Sequence, residues 1–234
     1  MTSMVKRNSI FLALSLMLVI VLGLALVFVP KGELHLWLCD HHTPARDIFF
    51  RYYTHVAEWF PYVLCVAILL FGRIGDGVMA SACMILSALT TQLFKHLINA
   101  PRPVTWFAQH MPDIQLPLAE GVRMNQWFSF PSGHTTSFFA LAFVLCILIT
   151  KSLSAKQSIR YQRSGLYSIS AAVQILLFMA AALGGYSRIY LSQHFAADVL
   201  AGTVVGCCIS AVCYVVFCRF EDQKWYNYRL FQKK

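Results

Sequence analysis

The chain has 234 residues, of which 58% are hydrophobic and only 12% are charged, and its formal net charge is +9. Soluble domains carry about 25% charged residues, so this composition excludes an ordinary soluble protein and predicts an integral membrane protein. The length predicts one domain over residues 1–234. The sequence contains no recognition helix or base-stacking platform, and we therefore predict that the positive charge does not serve nucleic-acid binding.

Six apolar windows predict six transmembrane helices packed as an all-α bundle. They lie at about 9–29, 59–71, 77–94, 135–150, 165–186 and 195–218. Three of them are shorter than the roughly 20 residues that span a bilayer, but each can be extended into neighbouring residues. Six is the most economical count, with five and seven as alternatives. The first window is interpreted as an uncleaved helix, because it is long enough to span and no small-residue cleavage site follows.

The distribution of charge predicts the topology. With six helices, the N-terminus, the second and fourth loops and the C-terminus lie on one side of the membrane. That side holds 12 of the 19 Lys and Arg residues, namely Lys6, Arg7, Arg73, Lys151, Lys156, Arg160, Arg163, Arg219, Lys224, Arg229, Lys233 and Lys234. Cytoplasmic loops carry the excess of basic residues, so both termini are predicted to be cytoplasmic, with a basic tail at 219–234. We expect anionic lipid headgroups to attract these cations.

Two histidine-containing segments and three further cations occupy the loops on the opposite side. Ionisable residues beside membrane spans are costly, and they mark functional sites. His194 and Asp198 are four residues apart, which predicts that they project from one helical face. A carboxylate fixes the tautomer of such an imidazole and leaves the other ring nitrogen free to attack phosphorus. The structural alternative is a polar pair that satisfies only itself.

Pro131, Ser132, Gly133 and His134 directly precede the fourth window. Backbone N–H groups at a helix N-terminus bind anions. Gly133 lets the main chain approach a phosphate, Ser132 adds a donor, and His134 is placed to protonate a leaving oxygen. A simple turn with an interfacial histidine is the structural alternative.

Seven Lys and Arg residues lie outside the set that defines the topology, and three of them belong to the polar segments: Lys95, Arg102 and Arg188. No acidic cluster in the sequence faces them. The planar fork of arginine suits the non-bridging oxygens of a phosphate, and lysine adds a point charge. Together with the two histidines, they predict phosphoryl chemistry.

Taken together, these segments resemble the three-part signature of the type 2 phosphatidate phosphatase superfamily, membrane lipid phosphatases related to vanadium haloperoxidases. The matching motifs are Lys95-x6-Arg102-Pro103, Pro131-Ser132-Gly133-His134 and Ser187-Arg188-x5-His194-x3-Asp198. They match without departure, and the resemblance covers roughly residues 60–218. It implies a six-helix bundle with a metal-free site at the outer face, and no cofactor is expected. The charge distribution predicts that this face is the periplasmic face of a bacterial cytoplasmic (inner) membrane.

The resemblance also implies a role for each residue. His194 would be the nucleophile that forms a phosphohistidine, with Asp198 as its partner. His134 would be the acid for the leaving alcohol and then the base for water. Five residues would hold the phosphoryl oxygens: Lys95, Arg102, Ser132, Gly133 and Arg188.

The implied substrate is a phosphate ester of a membrane lipid. We favour a lipid A phosphate, with the 4′-phosphate as one candidate position; undecaprenyl diphosphate and phosphatidylglycerol phosphate or phosphatidate are the alternatives. The intact motifs argue against a non-hydrolytic lipid-binding or transport protein, and a bilayer-embedded site argues against oxidation of a soluble substrate. The sequence does not indicate an oligomeric state.

Two further features are predicted to have no role in the chemistry. Gly202-x3-Gly206 is predicted to pack helices within the bundle. The remaining histidines match no spacing of metal ligands and are expected to have no chemical role; they are His35, His41, His42, His55, His96 and His110.

Overall fold

The computed structural model describes residues 2–157 and 163–230. Within these ranges the chain is helical and has no strand. The α-helices are α1 (Thr2–Arg7), α2 (Ser9–Phe28), α3 (Lys31–Cys39), α4 (Pro44–Tyr53), α5 (Trp59–Gly72), α6 (Ile74–Ile98), α7 (Pro103–His110), α8 (Gly133–Gln157), α9 (Arg163–Tyr190), α10 (Ala196–Phe217) and α11 (Lys224–Asn227). Three cations used in the topology prediction, Arg160, Lys233 and Lys234, lie outside the described residues.

Each of the six apolar windows forms a helix. Five helices are long and apolar enough to cross a membrane: α2, α6, α8, α9 and α10. The second window forms α5, which has only 14 residues and is too short to span alone. It forms a sixth span only together with Pro44–Ala57, with a bend of 47° between the two parts. The all-α bundle is confirmed with five or six membrane-spanning helices; where the bent pair counts as the sixth, that span begins earlier than the predicted window.

Helix α8 lies at the centre of the bundle and packs against α6, α9 and α10. Its Phe139 and Phe143 are fully buried. Phe11 of α2 stacks on Phe143, with the ring centroids 5.1 Å apart. Aromatic rings bury a large apolar area, so this cluster joins α2 to α8 in the middle of the bundle.

Two glycines let α10 approach α8. A Cβ at Gly202 would lie 2.8 Å from the carbonyl oxygen of Ser132, and one at Gly206 would lie 2.6 Å from that of Thr136. No side chain fits at either position without movement of the backbone. The predicted role of this pair in packing within the bundle is confirmed, and the contact holds the beginning of α10 against the beginning of α8.

The two ends of the bundle carry different groups. Helix α6 runs from Ile74, whose N–H donates to the carbonyl oxygen of Tyr228 in the C-terminal segment, to Lys95 at the other end. Helix α8 starts beside Lys95 and ends near Lys151, which pairs with Glu221. The Oδ1 of Asn8 accepts from the Thr150 hydroxyl near the same end of α8. The described parts of the N- and C-terminal segments therefore lie at one end of the bundle, and the polar motifs lie at the other.

Candidate active site

Lys95 and Arg102 reach the site from the end of α6 and the beginning of α7. Helix α6 ends because Asn99 adopts a left-handed conformation, with φ of 44°. The chain then turns through residues 100–101, and Arg102 immediately precedes α7. Lys95 reaches the start of α8, where its Nζ would lie 3.7 Å from a Cβ at Gly133.

Ser132 forms the cap of α8. Its Oγ accepts hydrogen bonds from the backbone N–H of Thr135 at 3.3 Å and from the Thr135 hydroxyl at 2.8 Å. The N–H of Ser132 donates to the carbonyl oxygen of Asp198 at 3.0 Å, which ties the start of α8 to the first turn of α10. His134 follows in the first turn of α8 and is half-buried. The second motif therefore forms a helix N-terminus beside Lys95, as expected from the sequence.

His194 lies in a tight turn between α9 and α10. The carbonyl oxygen of Arg188 accepts from the N–H groups of both Gln193 and His194, each at 3.0 Å. Ser192 in this turn has φ of 48°, a left-handed conformation that is uncommon for residues other than glycine. The turn directs the His194 side chain inwards, where only 1% of it is exposed.

The carboxylate of Asp198 collects three polar groups at one oxygen. Oδ2 lies 3.4 Å from Nδ1 of His194. It also accepts from the Ser129 hydroxyl at 2.5 Å and from the Phe195 N–H at 2.9 Å. The Asp198–Nδ1 contact favours a proton on Nδ1, so that Nε2 of His194 is the nitrogen left with a free lone pair.

This geometry corrects one detail of the sequence prediction. His194 and Asp198 do meet, but not as two residues on one helical face. Because the Asp198 carboxylate accepts the N–H of Phe195, helix α10 begins only at Ala196, and His194 lies in the turn before it.

The two arginines of the motifs are buried and bonded only to uncharged oxygens. Arg102 donates from Nε to the carbonyl oxygen of Trp127 at 3.0 Å, and from Nη1 to the carbonyl and side-chain oxygens of Gln193 at 3.1 and 3.0 Å. Arg188 donates from Nη1 to the Thr54 hydroxyl at 2.6 Å. The Nε of Arg188 is buried and has no hydrogen-bond partner among the described residues. A buried donor of this kind is available to an anion.

A cavity of about 390 Å³ opens beside the site. His134 and Arg188 line it, together with residues of the bent second span and of the loop after α7; these are Arg51, Thr54, His55, Glu58, Gly121, Val122, Arg123, Asn125, Leu191 and Gln193. The cavity gives a ligand access to His134 and Arg188 from the end of the bundle.

The electrostatic setting of His194 favours its neutral form. Burial lowers the pKa of His194 well below its ordinary value, against the opposing effect of the hydrogen-bonded Asp198 carboxylate. The ring is therefore neutral at pH 7, the state in which an imidazole is a nucleophile.

The site contains residues that the sequence analysis did not single out. Ser129, 1% exposed, bonds Asp198 and has its hydroxyl 3.5 Å from Nδ1 of His194. Gln193 and Thr54 hold Arg102 and Arg188. Ser129 stands three residues before Ser132, and Gln193 precedes His194, so their positions next to the motifs were the available signal. Thr54 is distant in sequence, and nothing in its surroundings indicated the contact.

His35, for which the sequence predicted no chemical role, is buried beside the site. It is 1% exposed, its Nε2 lies 3.3 Å from the Ser192 hydroxyl, and its ring centroid is 5.0 Å from that of Phe195. Lys31 on the same helix places Nζ 3.9 Å from the Phe195 ring centroid. Helix α3 therefore packs directly against the turn that carries His194.

The sequence pattern of the PAP2 superfamily matches residues 76–221, more than half of the chain, and this range includes all three motifs. The chain belongs to the PAP2 superfamily. This agrees with the resemblance drawn from the motifs alone.

Several characterised proteins are similar in sequence to this PAP2 chain. It is 28% identical over 182 residues to a lipid A 1-phosphatase of Porphyromonas gingivalis, covering 77% of this chain and 34% of that protein. It is 27% identical over 206 residues to a lipid A 4′-phosphatase of the same organism, covering 83% of this chain and 75% of that protein. It is 28% identical over 163 residues to lipid phosphate phosphatase 2 of Arabidopsis thaliana, covering 64% and 53%. The chain thus spans about a third and about a half of the length of two of these relatives.

Two crystal structures share the fold. LpxE from Aquifex aeolicus has a TM-score of 0.59 and 24% identity, covering 80% of this PAP2 chain and 96% of that one. The PAP2 type phosphatidylglycerolphosphate phosphatase from Bacillus subtilis, a transmembrane protein, has a TM-score of 0.65 and 21% identity, covering 94% and 100%. With five or six helices able to cross a membrane, this PAP2 chain is a multi-pass membrane protein.

Proposed function

We propose that the protein is a metal-independent lipid phosphatase that works through a phosphohistidine on His194. The observation that carries the proposal is the set of three contacts at Asp198 Oδ2, which holds a buried neutral imidazole beside cations bonded only to uncharged groups. Lys95, Arg102 and Arg188 are proposed to neutralise the phosphate, and in the described part of the chain no three His, Cys, Asp or Glu side chains are grouped as metal ligands.

In the first step, Nε2 of His194 attacks phosphorus, and the bond between phosphorus and the leaving oxygen breaks. His134 donates its proton to that oxygen, so the lipid departs with this oxygen protonated, as an alcohol or, from a diphosphate lipid, as a monophosphate. The Asp198 carboxylate stabilises the positive charge that develops on the His194 ring, because Nδ1 keeps its proton beside Oδ2.

In the second step, water attacks the phosphorus of phosphohistidine, and the bond between phosphorus and Nε2 breaks. His134, now neutral, takes a proton from the water and returns to its starting state. The two steps replace one difficult displacement by two easier ones. Phosphate leaves, and His194 is neutral again.

Five residues are proposed to hold the non-bridging oxygens through both steps: Lys95, Arg102, Ser132, Gly133 and Arg188. The free Nε of Arg188 and the helix N-terminus at Ser132–Gly133 support this assignment. Phosphoryl transfer depends mainly on positioning and charge stabilisation, which such a set of donors supplies.

The favoured substrate is a lipid A phosphate, because two of the similar proteins are lipid A phosphatases, one for each of two positions. Undecaprenyl diphosphate and phosphatidylglycerol phosphate or phosphatidate are the alternatives. We expect purified protein in detergent to release phosphate from one of these lipids, and to do so equally well in EDTA. Absence of phosphate release from all of them, or activity that a divalent ion restores after chelation, would contradict the proposal.

The role of His134 can be tested with two leaving groups. Substitution His134→Ala should reduce the hydrolysis of an alkyl phosphate far more than that of p-nitrophenyl phosphate, whose leaving group needs no proton. Equal losses on both substrates would leave His134 with an anchoring role only.

We further propose that the protein lies in a bacterial cytoplasmic membrane, with both termini in the cytoplasm and the site facing the periplasm. The excess of basic residues at the terminal end of the bundle supports this orientation. In a cysteine-depleted variant, a cysteine at the exposed Gln109 should react with an impermeant maleimide in intact spheroplasts, and one at the exposed Gln223 should not. The reverse pattern would invert the topology.

A further inference from the structure

The cavity beside His134 carries more positive charge than the proposed phosphate-binding residue Arg188 alone accounts for. Apart from Arg188, it is lined by Arg51 and Arg123, neither of which belongs to a motif. Asn125 adds a polar side chain to the same wall. These residues come from α4 and from the loop between α7 and α8, far apart in sequence.

Arg51 lies against the backbone of that loop. Gly121 has φ of +72°, and a Cβ at this position would lie 2.4 Å from Nη1 of Arg51 and 2.9 Å from its Cζ. The absence of a side chain at Gly121 therefore lets the exposed guanidinium approach the loop. The guanidinium lies at the cavity wall.

Arg123 is attached to the site through its own backbone. Its carbonyl oxygen accepts from Nε2 of Gln193 at 3.1 Å, and Oε1 of the same Gln193 accepts from Arg102 at 3.0 Å. Gln193, next to His194, therefore connects the phosphate-binding residue Arg102 to the loop that carries Arg123.

The two added arginines are not neutralised by their neighbours. Across residues 2–157 and 163–230, the carboxylates within ion-pair distance of a cation are those of Asp47, Glu58, Asp76, Asp198 and Glu221, and none of them pairs with Arg51 or Arg123. Glu58, the one acid that lines the cavity, is paired with His55 at 2.6 Å. The cavity thus presents three arginines against a single, already paired carboxylate.

The position of His134 decides which part of a substrate would occupy this cavity. The inference rests on the proposed function: if His134 protonates the leaving oxygen, the group attached to that oxygen lies on the His134 side of the scissile bond. His134 lines this cavity. Arg51, Arg123 and Asn125 are then the side chains that surround the leaving group.

We propose that this cavity is a leaving-group subsite that selects lipids whose leaving group itself carries negative charge near the scissile phosphate, with Arg51 and Arg123 as specificity-determining residues. Diphosphate lipids, phosphatidylglycerol phosphate and lipids with a second phosphate group on a sugar headgroup belong to this class. Phosphatidate does not, because its leaving group is uncharged diacylglycerol. The subsite would therefore favour candidate substrates whose lipid product, the part that remains in the membrane, carries negative charge.

The test compares phosphatidylglycerol phosphate with phosphatidate of identical acyl chains in the same mixed micelles. We expect kcat/KM of the unaltered protein to be at least about tenfold higher for phosphatidylglycerol phosphate, the ratio expected from one charge-assisted hydrogen bond. In Arg51→Gln, Arg123→Gln and the double variant, that ratio should fall towards one. Arg46→Gln, on the same helix but outside the cavity, is the matched control and should keep the ratio.

Two outcomes would overturn the subsite. One is an unaltered protein that hydrolyses both lipids with equal kcat/KM. The other is a set of variants that lose activity on both lipids by the same factor, which would indicate cations that contact the membrane surface generally. A thermal unfolding curve for each variant separates misfolding from lost selectivity. Failure of the proposed function looks different, because no lipid would then release phosphate in a manner that depends on His194.

Discussion

The two ends of the bundle differ in the partners of their charged side chains. At the end that holds the terminal segments, Arg73 lies 2.9 Å from Asp76, which also accepts the Tyr226 hydroxyl at 2.9 Å, and Lys151 pairs with Glu221. At the other end, the buried guanidinium groups of the motifs bond only to carbonyl, amide and hydroxyl oxygens.

This difference separates charge that holds the fold from charge kept for a ligand. A buried charge without an opposite partner lowers stability, so a folded chain retains it only where it has another use. At the motif end, the buried carboxylate of Asp198 faces His194 and leaves the arginines unneutralised. The imbalance is the structural sign of an anion site, and it can be tested by altering each end in turn.

The largest effect is expected for His194→Ala. Removal of the proposed nucleophile should reduce kcat to below about 1% of the unaltered value, since catalytic groups contribute at least 10²-fold. Acid-labile phosphorylation of the protein should disappear as well. His110→Ala, an exposed histidine at the same end of the bundle, should keep both activities. Substantial turnover by His194→Ala would exclude covalent catalysis at this ring.

The next prediction compares the substitution of one arginine at each end of the bundle. Arg188→Gln should lower kcat/KM by about 10²-fold, because it removes a donor aimed at developing charge, and should leave the melting temperature unchanged or raised. Arg73→Gln should do the reverse. It leaves Asp76 without its ion pair, which should lower the free energy of unfolding by about 1 kcal/mol. Activity per folded molecule should stay the same. Equal changes of stability and activity in both variants would remove the distinction between the two ends.

Much of this arrangement could be predicted from the sequence. Hydropathy alone located six helices, and the motif spacing identified the groups that meet at the site. The bend before α5 could not be predicted, because Pro44–Ala57 contains charged residues and has no apolar window. The burial of His35 was missed because a helix of only nine residues that packs on a loop leaves no clear periodic signal in the sequence. Contacts between distant segments, such as Arg188 with Thr54, depend on the packing itself.

A smaller effect is expected for Ser129, the unpredicted partner of Asp198. Ser129→Ala removes the hydroxyl that donates to Oδ2 at 2.5 Å, and kcat should fall by about tenfold, the equivalent of one hydrogen bond to a charged group. Ser81→Ala, which removes a hydroxyl bonded within α6, should not change kcat. If Ser129→Ala turned over at the full rate, the orientation of Asp198 would depend on the Phe195 N–H alone.

The smallest effect is a loss of stability in acid that arises from His35, at the motif end of the bundle. Burial lowers the pKa of His35 to about 4, below its ordinary value of 6.5. Between these pH values the unfolded chain binds a proton that the folded chain does not, so this contribution to stability is complete above pH 6.5 and is lost as the pH falls. The loss amounts to about 2 kcal/mol at pH 5 and should lower the melting temperature in detergent by several degrees between pH 7 and pH 5.

His35→Gln isolates this contribution, since glutamine keeps a polar atom near the Ser192 hydroxyl but does not titrate. The variant should melt at a lower temperature than the unaltered protein at pH 7, because the contact of the ring with Phe195 is lost. Its further decrease from pH 7 to pH 5 should nevertheless be smaller. His110→Gln, which replaces an exposed imidazole at the same end, provides the comparison and should keep the full acid sensitivity. An unaltered decrease in His35→Gln would mean that the acid sensitivity of this end arises at His194 or at another buried group rather than at His35.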